Sequence, residues 1–504
     1  MFGIRAIIIA FLGLTGSGVS LFRPYFGMLM LAVMYFFRPD LYGAEDYVQP
    51  VKWLTIAILL GYLATGWSQA ANAARVPRLS PSPGRGRVRR PVANRTAARA
   101  NNTRLAVAPK DPASTDLPAI ADAPAPGMFA GNGWIAMFLG LYIVSTVFAP
   151  MTNSDSWDRL WLIVKIFIAV FLIDKVCNTP ARLAGFVMAM VLGSCWFLKV
   201  TIVAWAFYGW SDVRIDSEAG QGGGANYIAW CLSAMMGFVY YKAMKGRSWQ
   251  RLTAIALIPL FVIGNMATGS RGGLLCVGAA SIMFLVLMRR WTLLVAGAVG
   301  VMLFLTFAPA TYMERMATIT TDPAKMDVSS LARYQNMQMG KQIILDYPIF
   351  GTGLETFPLA KRAYMKPDYV GGWFHVAHNT FIQLGSECGV PMLLAFGAVS
   401  VVATKRLLGR RTFADARDED NMNWVRVGTL CALAATWTEM VKGDIAHNDL
   451  FWWIYGLAFT YHHIVKRMAV QPATRVTRRP GRAGAAVGKL MPRRETAVLG
   501  GDLR

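Results

Sequence analysis

The sequence predicts an all-α polytopic membrane protein with about 12 or 13 transmembrane helices. Two global observations support this fold class: 55% of the 504 residues are hydrophobic, and the mean hydropathy is +0.39. The third observation is that apolar runs of roughly 20 residues recur along the chain, which is the length a helix needs to cross ~30 Å of hydrocarbon. A water-soluble domain of ordinary composition is therefore excluded.

The apolar runs define the predicted spans. The second run is short for a full crossing, so the number of transmembrane helices is either 12 or 13. In chain order the spans are 5–21, 25–37, 51–70, 133–150, 159–176, 182–209, 227–244, 250–268, 272–288, 291–311, 386–405, 426–441 and 449–465.

The formal net charge of +23 is concentrated in two segments. Residues 71–131 carry ten basic and three acidic side chains, and residues 466–504 carry ten basic and two acidic ones. Both segments are rich in Pro, Ala and Gly. We expect N-terminal helices in 1–70, a disordered linker in 71–131, a membrane domain in 132–470 and a disordered tail in 471–504. Basic flanks of this kind are typical of cytoplasmic anchors, so nucleic acid is not an expected partner.

Basic loops also orient the chain, because Lys and Arg are enriched on the cytoplasmic side. The basic loops are 175–182, 242–251, 289–290 and 405–411. The loops that fall on the opposite side are 151–158, 210–226, 269–271, 312–377 and 442–448. The long loop 312–377 is therefore expected to be extracytoplasmic. Apolar residues at helical spacing between Leu331 and Tyr347 predict a helix within it that lies on the membrane surface or caps the bundle, and Pro348 ends that helix.

His378 lies where the long loop re-enters the membrane, directly before Asn379. A neutral imidazole there could take a proton from an attacking hydroxyl group, with the rate rising near pH 6–7 if its pKa is ordinary. The alternative is a solvent-facing histidine that caps the next helix.

Arg271 stands among glycines at the outer end of a predicted span. Its planar guanidinium is suited to a bidentate grip on phosphate, although an arginine that only anchors the helix at the interface fits the pattern equally well. Arg333, in the predicted loop helix, is a second candidate phosphate ligand, or simply a solvated side chain.

Lys165 and Lys199 lie inside apolar spans, where a lysine costs about 3 kcal/mol by insertion scales. We expect them to face a polar cavity, of which a phosphate channel is one example, although Lys165 could also extend to the interface. Asn226 could hydrogen-bond a sugar, or simply belong to a flexible loop.

Polar residues around Glu439 and His447, including Lys442 and Asp444, suggest residues at the rim of the bundle. The outward loops contain no Asp-x-Asp motif, and the six cysteines form no CxxC pair. We therefore expect no metal site, no cofactor and no disulfide framework.

Taken together, these features resemble the O-antigen ligase and polymerase superfamily over about residues 130–470. The resemblance rests on the many-span bundle, Ser270-Arg271-Gly272, an outer loop with an arginine-bearing helix, the Asp-Tyr-Pro-x-x-Gly-x-Gly element at 346–353, and the His-Asn pair at 378–379. Gly389 also matches the family block, whereas Met392 replaces its last glycine.

The resemblance implies that His378 is the catalytic base and that Arg271 and Arg333 bind the pyrophosphate of the donor, with Lys199 as a further candidate. The region of Lys165, Lys199, Arg214 and Asn226 is also similar to the exosortase-associated O-glycosylation ligases. The candidate substrate-binding residues are Asn379, Lys165, Arg214 and Asn226.

The implied function is a metal-independent, inverting glycosyltransferase in the bacterial inner membrane, with its active site facing the periplasm. Its partners would be an undecaprenyl-pyrophosphate-linked glycan, a lipid or protein acceptor with a free hydroxyl group, and membrane lipids. A repeat-unit polymerase of the same superfamily is the alternative. A flippase or transporter is the competing class, but it predicts repeats that the sequence does not show. A non-catalytic scaffold would not need His378 and Arg271 together.

Overall fold

The computed structural model describes residues 4–37, 50–75, 132–208, 224–290, 326, 328–372, 375–409, 413 and 415–470. Within these ranges every regular element is a helix. In chain order they are α1 (Ile4–Phe22), α2 (Pro24–Phe37), α3 (Pro50–Arg75), α4 (Gly133–Phe148), α5 (Ser154–Val176), α6 (Pro180–Tyr208), α7 (Gly224–Lys245), α8 (Ser248–Ala267), α9 (Arg271–Met288), α10 (Val328–Asp346), α11 (Phe357–Ala360), a 3₁₀ helix (Lys361–Tyr364), α12 (Thr380–Leu408), α13 (Ala416–Met440) and α14 (Asp449–Val470).

The predicted fold class is confirmed, since each predicted span within the described ranges coincides with a helix. The span at 291–311, most of the linker 71–131 and the tail 471–504 lie outside the described residues. By length and composition, four described helices can cross a membrane: Pro180–Phe207, Ser248–Ala267, Arg271–Met288 and Thr380–Leu408. Shorter apolar helices occur at Phe11–Phe22, Pro24–Phe36, Val51–Thr65 and Gly133–Phe148.

Helix α7 packs against α8, α9 and α13. Small residues bring α7 and α13 close together, because a Cβ atom on Gly428 would overlap the ring of Phe238. The Trp424 indole donates a hydrogen bond to the Phe238 carbonyl at 2.9 Å, and the Trp230 indole donates to Thr436 at 3.1 Å. Tight packing of small residues with satisfied indole N–H groups is a common way to hold helices together in a bilayer.

Helix α12 is broken at Gly389, whose φ of 83° and ψ of 174° are not helical. The segment after α10 fills this break with backbone hydrogen bonds. The Val390 N–H donates to the Pro348 carbonyl at 2.7 Å, and the Thr352 N–H donates to the Ser386 carbonyl at 2.8 Å. These bonds satisfy backbone groups that a straight helix would have paired internally.

The glycines of the 346–353 element and Gly389 therefore form one joint. Gly351 has a φ of 69°, and a side chain there would overlap the Glu387 backbone. Met392, in place of the family's last glycine, is fully buried in the hydrophobic core. The joint fixes the N-terminal part of α12, which begins at Thr380, two residues after His378.

The predicted loop helix is confirmed as α10, which ends at Asp346, shortly before Pro348. It packs against the start of α12, because Gly340 lets the two backbones approach over the side chain of Ile382. This contact places the N-terminal end of α10 over the end of the bundle where the candidate site lies.

Candidate functional site

A cavity of about 750 Å³ lies at one end of the bundle, within the usual size range of small-molecule sites. All of its lining residues come from helix ends and loops that the sequence assigns to one side of the membrane. They include Arg159, Asn226, Ser329, Arg333, Glu355, His375, His378, Gln383, Glu439, Asp444 and His447.

His378 lines this cavity and adopts a φ of 51°, in the left-handed region that non-glycine residues rarely enter. The N-cap of α12 is the next residue, Asn379, whose side chain accepts hydrogen bonds from the N–H groups of Phe381 and Ile382, both at 3.0 Å. The helix is thus capped without the imidazole. The strained backbone aims His378 away from the helix start and toward the cavity.

The pKa of His378 is lowered to about 4 by burial, and the positive charge of Arg333 contributes. The imidazole is therefore neutral at physiological pH and can accept a proton. This differs from the expectation of an ordinary pKa near 6–7, because the sequence did not show that the ring is buried and that the charge of Arg333 acts on it.

A buried lysine holds the loop that leads to His378. The Lys361 ammonium donates hydrogen bonds to the His375 carbonyl at 2.7 Å, to the Gly372 carbonyl at 3.1 Å and to the Tyr369 hydroxyl at 2.9 Å. Its side chain is fully buried, and burial lowers its pKa to about 8. This residue could not be singled out from the sequence, because a lysine in a polar loop resembles any solvated lysine.

One of the two predicted phosphate ligands lines this cavity, and the other is hydrogen-bonded to the same helix. Arg333 is a lining residue, and the Arg271 guanidinium donates to the hydroxyl of Ser330, one helical turn before Arg333, at 3.4 Å. Ser270 caps α9 by accepting from the Gly273 N–H at 3.0 Å, and its hydroxyl donates to Asn226 at 2.6 Å. The first turns of α7, α9 and α10 are thus held together by these bonds.

The glycine after Arg271 has a specific role. A Cβ atom on Gly272 would overlap the Lys442 side chain, whose ammonium pairs with Glu439. The interpretation of Glu439 and its neighbours as rim residues was wrong. Glu439 is 1% exposed and His447 is 8% exposed, so this group forms part of the cavity wall.

Five further lining residues form what we call the His447 cluster: Arg159, Glu355, Gln383, Asp444 and His447. Arg159 forms an ion pair with Glu355, and His447 Nδ1 lies 3.8 Å from Glu355 Oε1 and 3.2 Å from Gln383 Nε2. Glu355 has a φ of 59°. Arg159, Glu355 and Gln383 were not singled out from the sequence, because only the fold brings them together.

Charges in the His447 cluster nearly cancel. Burial acts to raise the pKa of Glu355, but His447 and Arg159 together lower it, so the carboxylate balances Arg159. Burial raises the pKa of Asp444 to about 8, with Glu355 adding to the effect. Burial also lowers the pKa of His447, even though Glu355 opposes this. Near neutral pH the cluster therefore holds one ion pair and two mainly uncharged groups.

The remaining predicted residues lie elsewhere. Lys165 is half-buried in α5, and Lys199 is exposed on α6 with its ammonium 4.5 Å from the Trp196 ring centroid. Neither is among the lining residues of the cavity, and Arg214 lies outside the described residues. The Asn379 amide donates a hydrogen bond to the Val441 carbonyl at 2.9 Å. The hydroxyl of the following residue, Thr380, donates to the Gly443 carbonyl at 2.9 Å. Substrate contacts by these residues stay predictions.

In the described part of the chain, no group of three or more His, Cys, Asp or Glu side chains is arranged to hold a metal ion. The six cysteines are free, and five of them are buried.

Comparison with known families gives a match to the family model described as O-antigen ligase, over residues 253–397. The matched region runs from α8 into α12 and contains Arg271, Arg333 and His378, whereas Asn226, Asp444 and His447 lie outside it. A search of curated proteins found no match.

Proposed function

This chain is a member of the O-antigen ligase superfamily, and on that premise we propose that it transfers a glycan from an undecaprenyl-pyrophosphate-linked donor to an acceptor hydroxyl group. The superfamily comprises membrane enzymes of the ligase or polymerase type that act on lipid-linked glycans. The donor, the acceptor and the residue roles given below are the finer part of the proposal.

One observation carries the proposal furthest. The neutral imidazole of His378 and the guanidinium of Arg333 line one cavity, and Arg271 is tied to the same helix as Arg333 through Ser330. A base beside two fixed cations is the arrangement that a transfer from a pyrophosphate leaving group requires, since a proton must be removed and negative charge must be stabilised.

The chemical step follows from this arrangement. The acceptor oxygen attacks the anomeric carbon of the donor sugar, and the bond between that carbon and the pyrophosphate oxygen breaks. The proton of the acceptor hydroxyl passes to His378. The negative charge released on undecaprenyl pyrophosphate is stabilised by Arg271 and Arg333. Attack on the face opposite the leaving group inverts the anomeric configuration.

Positioning and fixed charge supply the catalysis in this scheme. Pyrophosphate is already a good leaving group once its charge is neutralised, and two arginines do this without a divalent cation. We therefore expect transfer by the purified protein to continue in the presence of a chelator. Loss of transfer on chelation would contradict the metal-independent part of the proposal.

The proposed location is the bacterial inner membrane, with the cavity open to the periplasm. The support is the distribution of basic loops, from which we expect every lining residue to lie on the extracytoplasmic side.

The function is tested by the surface glycans of a deletion strain. Complementation with the wild-type gene should restore long glycans on the acceptor, and His378→Ala at equal protein level should not. A ligase leaves the acceptor without glycan in the deletion strain, whereas a polymerase leaves a single repeat unit attached. Unchanged glycans in the deletion strain would refute both.

A further inference from the structure

The proposed chemical step uses His378 and the two arginines, but it gives no role to the His447 cluster. This cluster lines the same cavity, and two of its side chains are buried: Gln383 is 3% exposed and His447 is 8% exposed. Polar groups buried this deeply normally have hydrogen-bond partners.

Two polar atoms of the cluster have no hydrogen-bond partner among the described residues. They are His447 Nε2 and Gln383 Oε1. A buried donor or acceptor that stays unpaired costs roughly 1–3 kcal/mol. Two such atoms on adjacent side chains of a cavity wall indicate that a ligand supplies the missing bonds.

The two unpaired atoms are complementary. Gln383 Nε2 lies 3.2 Å from His447 Nδ1, so the amide donates to Nδ1 and the neutral ring carries its proton on Nε2. Nε2 is then a donor, and Gln383 Oε1 is an acceptor. A hydroxyl group satisfies both, because its oxygen accepts one hydrogen bond while its proton donates another.

The charge of the cluster also selects the ligand. Arg159 is neutralised by its ion pair with Glu355, so no free cation remains there to attract a phosphate, and the carboxylate would repel one. A phosphate group is better placed near Arg271 and Arg333. An uncharged, hydroxyl-rich group suits the His447 cluster.

Backbone strain gives a second indication. Among the described residues, three non-glycine residues have a positive φ, and two of them, Glu355 and His378, line this cavity. Strained residues of this kind cluster at sites where function requires a fixed geometry. One lies in the His447 cluster and the other is the proposed base.

We propose that the His447 cluster is a saccharide subsite, in which His447 Nε2 and Gln383 Oε1 bind one hydroxyl group of an uncharged sugar. This inference rests on the proposed function, in which both donor and acceptor carry sugars. It orients the donor, with its pyrophosphate beside Arg271 and Arg333 and a sugar hydroxyl at the cluster.

A longer glycan has room beyond the subsite. Arg159 and Glu355 also line a second cavity of about 680 Å³, whose wall includes Asn153, Asp158 and Arg362. The ion pair thus lines both cavities, and further sugar residues would extend past it.

The test compares binding of two probes to the purified, full-length protein: undecaprenyl pyrophosphate and the same lipid carrying its oligosaccharide. Wild-type protein should bind the glycosylated probe more tightly. His447→Leu should weaken that binding by about tenfold, the effect of one lost hydroxyl contact, and leave undecaprenyl pyrophosphate binding unchanged. His447→Gln, which keeps a donor, should recover part of the loss. His462→Leu, a histidine of α14 that does not line the cavity, is the matched control.

Kinetics distinguish the source of the sugar. A raised KM for the donor in His447→Leu places the donor sugar in the subsite, and a raised KM for the acceptor places the acceptor sugar there. If both KM values and probe binding are unchanged, the unpaired atoms are served by buried water and the proposal fails. Weaker binding of undecaprenyl pyrophosphate alone would also overturn it, since the cluster would then be a phosphate site.

If His447→Leu does not fold, Gln383→Met and His447→Gln report on the same contact. The two proposals fail separately. The subsite alone is refuted if the wild-type protein transfers glycan but binds both probes equally, and if His447→Leu leaves the KM for the acceptor unchanged. A protein that prefers the glycosylated probe but transfers nothing refutes only the function.

Discussion

The carbonyl oxygen of Ile349 occupies the space in which a side chain on Gly389 would lie. Gly389 has a φ of 83°, so the break in α12 and the docking of the 346–353 element require each other. The Asp-Tyr-Pro-x-x-Gly-x-Gly element and the distant Gly389 are therefore two sides of one structural joint, which holds the helix that follows His378.

Gly389→Ala should destabilise the protein by more than about 1 kcal/mol, because alanine disfavours this φ and its methyl group would overlap the Ile349 backbone. The measurement is thermal unfolding in detergent. Gly397→Ala, in the same helix, has open space around its Cβ position and should be neutral or slightly stabilising. Equal unfolding temperatures for the two variants would contradict the joint.

His378→Ala should lower the transfer rate by about 10²–10⁴, the usual contribution of a general base. The protein should still insert and bind undecaprenyl pyrophosphate, because the arginines hold the phosphates. His375→Ala is the control: its ring centroid lies 6.1 Å from that of His378, and its pairing with Gly372 suggests a structural role. Near-normal transfer by purified His378→Ala would require another base, with Glu387 and His447 next to test.

Arg271→Lys should weaken donor binding by about tenfold to a hundredfold although the charge is retained, because a lysine cannot make the planar bidentate contact with phosphate. The measurement is the affinity for undecaprenyl pyrophosphate. Arg290→Lys, beyond the opposite end of α9, should bind normally. Full affinity in Arg271→Lys at normal protein level would reduce Arg271 to an interfacial anchor.

At low donor concentration the transfer rate, which then reports kcat/KM, should not depend on pH between about pH 6 and pH 8. With a pKa of about 4, His378 is already neutral in the free protein at pH 6, so kcat/KM should not rise between pH 6 and pH 8 through this group. Bound pyrophosphate is negative and favours the imidazolium, which raises the pKa. The acid limb of kcat should therefore lie at higher pH than that of kcat/KM. An acid limb of kcat/KM near the ordinary histidine value, about 6.5, would show that the ring is not desolvated as the structure indicates.

The orientation can be tested with a reporter that is active only in the periplasm. Fused after Arg90 it should be silent, and fused after Asp327 it should be active, because the basic linker is predicted to be cytoplasmic. The reverse pattern would place the cavity on the cytoplasmic side and exclude a periplasmic donor.

Much of the fold could be predicted because membrane helices are local features. Hydrophobic length located the described spans, and apolar spacing located α10, whose end at Asp346 precedes the proline that marked it. The break at Gly389 could not be predicted in the same way, since it depends on backbone hydrogen bonds from a distant segment. A glycine inside an apolar run gives no sign of that partner.

Site residues that stand in sequence motifs could be predicted, whereas those defined by tertiary contacts could not. His378, Arg271 and Arg333 stand in recognisable motifs, and the structure brings them to one end of the bundle. Glu355 and Lys361 were missed, because burial and pairing, rather than residue type, distinguish them from solvated loop residues. The lowered pKa of His378 could not be predicted either, since the burial of the ring and the electrostatic effect of Arg333 on it arise only in the folded chain.

The ties that follow His378 have a mechanical consequence. Asn379 donates to the Val441 carbonyl, and Thr380 donates to the Gly443 carbonyl and accepts from the Ile445 N–H at 3.2 Å. These hydrogen bonds fix the position of the loop that leads to His447 relative to the residues directly after His378. The relative position of the two histidines therefore depends on them. An error of about 1 Å in the position of a reacting group can cost ~10² in rate. A loss of activity in Asn379 or Thr380 variants would therefore reflect a change in the relative position of His378 and His447, even where neither side chain touches a substrate.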